Sequence, residues 1–173
     1  MFTRFYVGLL LTTVPLSHAY SADTADEFLK LLSGKFKGHG EAVIPVSKKV
    51  ERVSCSVSNT LNDEALLLQI EGKCATTQGK SNVQGSLQVN ETGIVGSFIS
   101  PFANSTITQS ASEFSDGRLI LSTSIVNNNT GNLSRLRQII TLNEEGGFVA
   151  VFQKYENASG EYQDSGKVVF EQK

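Results

Sequence analysis

From Gly34 onward the chain alternates with a period of two: Phe36, Gly38, Gly40 and Ala42 fall on one side, Lys35, Lys37, His39 and Glu41 on the other. Successive strand side chains point to opposite faces, so the pattern predicts a half-buried β-strand. Just before it, residues 24–32 (TADEFLKLL) carry Phe28, Leu29, Leu31 and Leu32, with acidic residues early and Lys30 late. This predicts a short helix ended by Gly34.

The next stretch ties periodicity to covalent chemistry. Val53, Cys55 and Val57 share one face of a strand; across a turn near Asn62 and Asp63, Leu66, Leu68, Ile70, Gly72 and Cys74 share one face of the return strand. If Cys55 faces Cys74 directly, Val57 meets Gly72, Asn59 meets Ile70 and Leu61 meets Leu68. Hydrophobic alternation and a disulfide then specify one hairpin. Short periodic segments follow at 83–89, 94–99, 106–114, 119–126, 133–142, 148–155 and 167–171, separated by runs rich in Asn, Gly, Ser, Asp and Pro, the longest at 156–166. Regular turn signals with no helical period between them predict an all-β antiparallel meander. So many strands need closure to hide their edges, which favours an up-and-down barrel of about 8–10 strands with a short N-terminal helix. A two-sheet sandwich is the alternative.

The beginning of the chain reads differently. Arg4 precedes an apolar run over residues 5–16, and Ser17, Ala19, Ser21 and Ala22 supply small residues for a cut after Ala19 or Ser21. Residues 1–21 are therefore expected to be a cleavable signal peptide, leaving one domain over 22–173. The apolar run is shorter than the roughly 20 residues that span a bilayer, and no cysteine at the cut offers a lipid anchor. The expected destination is the periplasm of a Gram-negative cell, or otherwise the outside.

Charge and composition narrow the function classes. The chain has 15 Lys and Arg against 17 Asp and Glu. Loss of Arg4 leaves 14 against 17, a net charge near −3, with no basic stripe to neutralise phosphates, so nucleic acid is not an expected partner. Beyond residue 21 the only histidine is His39, so two cysteines and one histidine make a poor zinc set. In an oxidising compartment Cys55 and Cys74 are expected to pair. No metal or cofactor is expected.

Catalytic motifs are equally sparse. No nucleophile elbow, phosphate loop or paired-histidine motif occurs; His39 lies on the polar side of its strand, and Glu144 with Glu145 reads as a soluble hairpin tip. The expectation is a protein that is not an enzyme. Aromatic residues on strands or near rims are the candidates for ligand contact, with core packing as the alternative for each: Phe36, Phe98, Phe102, Phe114, Phe148, Phe152 and Tyr155. Arg135 and Arg137 flank Leu136 and point to one side; inside a barrel they would hold an acidic head group, outside they would serve solubility. Gly38 and Gly40 either admit a close neighbour or open space in the barrel. Asn90, Asn104, Asn128, Asn132 and Asn157 begin N-x-S/T sequons, and most fall at predicted turns.

A short helix leading into Gly34-Lys35-Phe36 and an antiparallel meander resembles the lipocalin and calycin superfamily, with Phe36 where lipocalins usually carry tryptophan. That resemblance implies a small apolar ligand in the barrel mouth. Gly34, Phe36, Cys55 and Cys74 also echo the calycin-like periplasmic inhibitors of bacterial metalloproteases. That second likeness implies a protein partner engaged by residues 21–26. The sequence thus carries two readings: a non-enzymatic barrel that binds a small apolar or amphipathic ligand or serves the cell envelope, and a protein-binding module such as a periplasmic protease inhibitor.

Overall fold

A computed structural model describes residues 22–43, 49–99 and 105–173, with the side chains of 97–99 and 105 outside that description. The expected leader, residues 1–21, and Phe102 lie outside the described residues. Helix α1 (Ala25–Leu31) is followed by ten strands: β1 (Gly34–Val43), β2 (Val50–Asn62), β3 (Leu67–Thr76), β4 (Gly79–Asn90), β5 (Gly93–Ile99), β6 (Ser105–Ser115), β7 (Arg118–Asn127), β8 (Leu133–Leu142), β9 (Phe148–Glu156) and β10 (Glu161–Gln172).

All ten belong to one antiparallel sheet in the order β5-β4-β3-β2-β1-β10-β9-β8-β7-β6. The first strand pairs with the last, Gly38 opposite Phe170, and the sheet curls until β5 and β6 meet. At that seam the Ser112 hydroxyl donates to the Ile94 carbonyl. The result is a nearly closed up-and-down barrel, and one continuous sheet replaces the two of a sandwich.

Local chemistry explains most of the turns. Asn62, Asn90, Asn127 and Asn143 each end or follow a strand, and each side-chain oxygen accepts from backbone amides two to four residues on: Glu64 and Ala65, Thr92, Asn129 and Thr130, Glu145 and Gly147. Such Asx turns reverse the chain without a ladder partner. Thr24 caps α1 by accepting from the Glu27 amide. The chain then leaves the helix through Gly34 at φ +130°, a value that side-chain-bearing residues rarely adopt.

The glycines of β1 mark close approach. A Cβ on Gly40 would lie 1.9 Å from the Lys167 carbonyl oxygen, and one on Gly38 would lie 2.6 Å from the Phe170 ring. These two positions let β1 close tightly against β10, which completes the barrel.

The β2–β3 hairpin has the register expected from its sequence, with Cys55 opposite Cys74, Val57 opposite Gly72, Asn59 opposite Ile70 and Leu61 opposite Leu68. The two cysteines form a disulfide with a Cα separation of 4.1 Å. β10 begins earlier than the sequence suggested, at Glu161 rather than near Lys167. A bulge between Asp164 and Gly166 interrupts its alternation, so the period-two signal survives only beyond it.

The core gathers at one end. Phe28, Leu29, Leu32, Phe36, Leu68, Leu87 and Leu119 are the largest fully buried side chains among the described residues. Phe28 meets Phe114 at 5.0 Å between ring centroids, Phe36 meets Phe148 at 5.1 Å, and Phe148 stacks on Phe170 at 4.4 Å. α1 lies across this end as a plug. Asn59 anchors it, its amide donating to the Leu32 carbonyl at 2.7 Å.

Candidate functional site

Above the plug the barrel is hollow. A cavity of about 650 Å³ runs from Leu32 and Asn59 at the floor to Val43, Thr76, Ile107 and Ile125 at the far ends of their strands. Most of its wall is apolar, supplied by the inward parity of each strand: Val53, Cys55 and Val57 from β2, Leu121 and Ile125 from β7, Leu136 and Ile140 from β8, Ala150 and Phe152 from β9, Val168 and Phe170 from β10. Inward residues near the plug are buried, whereas Ile70, Thr123, Ile125, Leu136 and Phe152 are only partly so. Cavities of roughly 300–1,000 Å³ with apolar walls and few polar groups are the usual form of a small-molecule site.

Two nearly fully buried amides, Gln138 and Asn59, interrupt the apolar wall. Gln138 of β8, only 7 % exposed, faces inward between Leu136 and Ile140, opposite Phe152 on β9 and Leu121 on β7. Its Oε1 is buried with no hydrogen-bond partner. Asn59, 4 % exposed, uses its amide nitrogen on Leu32 while its Oδ1 has no partner. Leaving such an acceptor unpaired costs about 1–3 kcal/mol, so a ligand group that donates to it gains that amount in relative terms. Hydroxyls of Thr76, Ser81, Thr106, Thr123 and Ser165 also line the cavity. Ser165, at the β10 bulge, donates to the Phe152 carbonyl at 3.1 Å.

The residues singled out from the sequence divide among four places. Phe152 lines the cavity. Phe36 is fully buried in the plug beneath it, packed on Phe148. Phe98 sits in β5 opposite Gly85, with its side chain outside the described residues, as Phe102 is entirely. Arg135, Arg137 and Tyr155 lie together on the outer face of the wall. There Arg135 stands over the Tyr155 ring at 5.1 Å, Arg137 over the Tyr162 ring at 3.9 Å, and the two tyrosines meet edge to face at 5.4 Å. Arg137 and its cross-strand neighbour Gln153 also border the cavity, and Arg137 Nε and Gln153 Oε1 are buried without partners. His39 is exposed on the outside of β1.

Gln138 and Asn59 were not singled out from the sequence as site residues. The available signal was a polar residue on the apolar parity of its strand, Asn59 in line with Cys55 and Val57, Gln138 in line with Leu136 and Ile140.

The disulfide lies in the cavity wall, with both Cys55 and Cys74 lining it. Near the rim, Glu51 at the start of β2 accepts from the Thr77 hydroxyl and from Gln78 Nε2, the latter at 2.8 Å. The Thr77 hydrogen bond, foremost, holds the Glu51 carboxyl below its ordinary range. This polar staple joins the first turn of β2 to the β3–β4 turn. Among the described residues no group of three His, Cys, Asp or Glu side chains is placed to hold a metal ion, and no helix is long and apolar enough to cross a membrane.

No protein-family model and no curated protein matches this chain. Among solved structures, the chain is similar to the crystal structure of Rv2717c from M. tuberculosis, at a TM-score of 0.61 and 17 % sequence identity, covering 86 % of this chain and 97 % of that one. At that identity the likeness concerns the fold alone, and it carries the barrel architecture without a family name.

Proposed function

We propose that this protein is a non-catalytic carrier that holds one small apolar or amphipathic molecule inside its barrel. The observation that carries the reading is the apolar cavity of about 650 Å³ enclosed by the sheet and floored by α1. Transfer of apolar ligand surface from water into such a space is favourable by about 25 cal/mol per Å². The wall offers amides and hydroxyls rather than a cluster of paired charges, which suits holding a molecule more than transforming it. The Cys55–Cys74 disulfide is consistent with an oxidising, exported setting, where a carrier would serve the cell envelope.

The test is binding of a neutral fluorescent probe, N-phenyl-1-naphthylamine, together with native mass spectrometry of the purified protein before and after organic extraction. The chain has no tryptophan, so Thr123→Trp both narrows the cavity and places a single indole reporter in its wall. Saturable probe binding that Thr123→Trp abolishes supports the reading. Absence of probe binding and of any extractable ligand would sink it.

A second reading, a protein partner, draws on the outer wall. Arg135, Arg137, Tyr155 and Tyr162 form one cluster there, and arginine and tyrosine are enriched at protein interfaces. In the inhibitor form of that reading residues 21–26 engage a protease. In this structure Ala22 packs into the chain's own core and Thr24 caps α1.

A further inference from the structure

We infer that the cavity selects an uncharged ligand carrying a hydroxyl group, and that Gln138 is the residue that reads it. This rests on the carrier reading and names the chemistry of its cargo. Gln138 is more than nine-tenths buried, faces the cavity midway up the β8 wall, and leaves Oε1 without a partner. Its flanking inward residues on β8, Leu136 and Ile140, are apolar, and so is Phe152 opposite it on β9. Among these apolar neighbours an amide with an unpaired acceptor is a specificity element, because a ligand that displaces water there must donate a hydrogen bond to satisfy it.

Charge decides between the donors available. An ionised carboxylate accepts hydrogen bonds and cannot donate one, so it would leave Oε1 unpaired and would bring its own charge into an apolar space. Arg137 borders the cavity with its Nε unpaired, but that atom is buried and the guanidinium carbon stands 3.9 Å over the Tyr162 ring on the outer face, away from Gln138's inward side of β8. Lys154, near the rim, is paired with Glu156 at 3.5 Å. A hydroxyl both donates and accepts, so it meets the Gln138 amide whichever way that amide is turned. An apolar chain on that hydroxyl would lie along Leu121, Ile140 and Phe152. Asn59 Oδ1, at the floor, is a second buried and unpaired acceptor.

The experiment compares three probes of one chain length in displacing N-phenyl-1-naphthylamine from the intact protein: dodecan-1-ol, dodecyl methyl ether and ionised dodecanoate. Dodecan-1-ol is expected to displace the dye at roughly tenfold lower concentration than the ether, with dodecanoate weakest. Gln138→Leu is expected to bring the alcohol to parity with the ether while ether binding persists. Gln138→Met, close to glutamine in volume, provides the same comparison should the leucine variant fold poorly. Equal binding of alcohol and ether by the unaltered protein, an alcohol preference that survives in both variants, or a preference for dodecanoate would each overturn the inference while leaving the carrier reading intact. If the dye and all three probes fail to bind, the carrier reading itself is lost, and this inference with it.

Discussion

Around α1 the inward positions are filled by large apolar side chains: Phe28 against Phe114, Phe36 against Phe148, Leu68 beside Leu87, all buried apart from the partly buried Phe114. At the far end the same strands turn Thr76, Ser81, Thr123, Ile125 and Leu136 inward, and these are only partly buried around open space. Both ends share one ladder of hydrogen bonds, so the backbone does not account for the difference. Side-chain volume does. Close-packed interiors tolerate few voids, and a wall that stops filling its interior leaves room for something else. The floor end carries the apolar contribution to stability, and the far end gives up part of that contribution to keep a cavity.

The largest test of this contrast is a pair of truncations. Phe36→Ala removes a fully buried ring from the plug and is expected to cost about 3–5 kcal/mol in urea-induced unfolding. Phe152→Ala, in a wall already open on one side, is expected to cost nearer ~1–2 kcal/mol and to change ligand affinity instead. Equal costs would mean that the cavity is filled in solution and that the two ends are not different.

The disulfide is next in size. Cys55 and Cys74 are 19 residues apart, and in the chain-entropy model their bond is worth about 3 kcal/mol. Replacing both by alanine should lower the urea midpoint accordingly. Hydrogen exchange should then rise first around Ser54, Cys55 and Ala75, in the cavity wall, before it rises at Leu68 and Leu87 in the floor. The reverse order would place the weaker end at the plug.

A smaller effect is expected where the two ends join. Asn59→Ala removes the donor to the Leu32 carbonyl and should cost about 1–3 kcal/mol, read as earlier loss of α1 on heating. If α1 stays docked, the plug is held by Phe28 and Leu29 alone.

The barrel was largely legible in the sequence because its hairpins obey one period. The β2–β3 register follows from two cysteines on the face that Val53 and Val57 turn inward, and the structure has those pairs. β10 was shortened because the bulge at Ser165 shifts the parity of Asp164 relative to Gly166, and a sequence period cannot carry across a bulge. The Gly38 and Gly40 question needed the partner strand: only Phe170 and Lys167 show that the missing side chains admit a neighbour rather than a ligand.

The site was less legible for a related reason. β8 has apolar residues on both parities, Leu133 and Ile139 on one, Leu136 and Ile140 on the other, so alternation alone could not say which side Arg135 and Arg137 take. Their placement on the outer wall follows from pairing with β7 and β9, where Gln138 lies between Leu121 and Phe152. The same ambiguity hid Gln138. A polar residue reads as outward until its neighbours are known.

The rim offers the finest test of the contrast, because what holds it is polar. The Glu51 carboxyl is fixed by Thr77 and Gln78, and its hydrogen bonds lower its pKa below the ordinary 4.5. A carboxylate whose folded pKa is depressed contributes stability that is present above its unfolded pKa and lost as pH falls through the folded one. Stability should therefore decline slightly from just above 4.5 downward on account of this group, beyond the decline common to all carboxylates. Thr77→Val should raise the Glu51 pKa toward its ordinary value in an NMR titration and remove that part of the acid dependence. Because Glu51 is exposed to solvent, the change belongs to the rim alone, and the floor resonances of Phe36 and Leu87 should not move with it. Movement at the floor in the same titration would mean that the two ends of the barrel are coupled through the shared ladder rather than set independently by what fills each one.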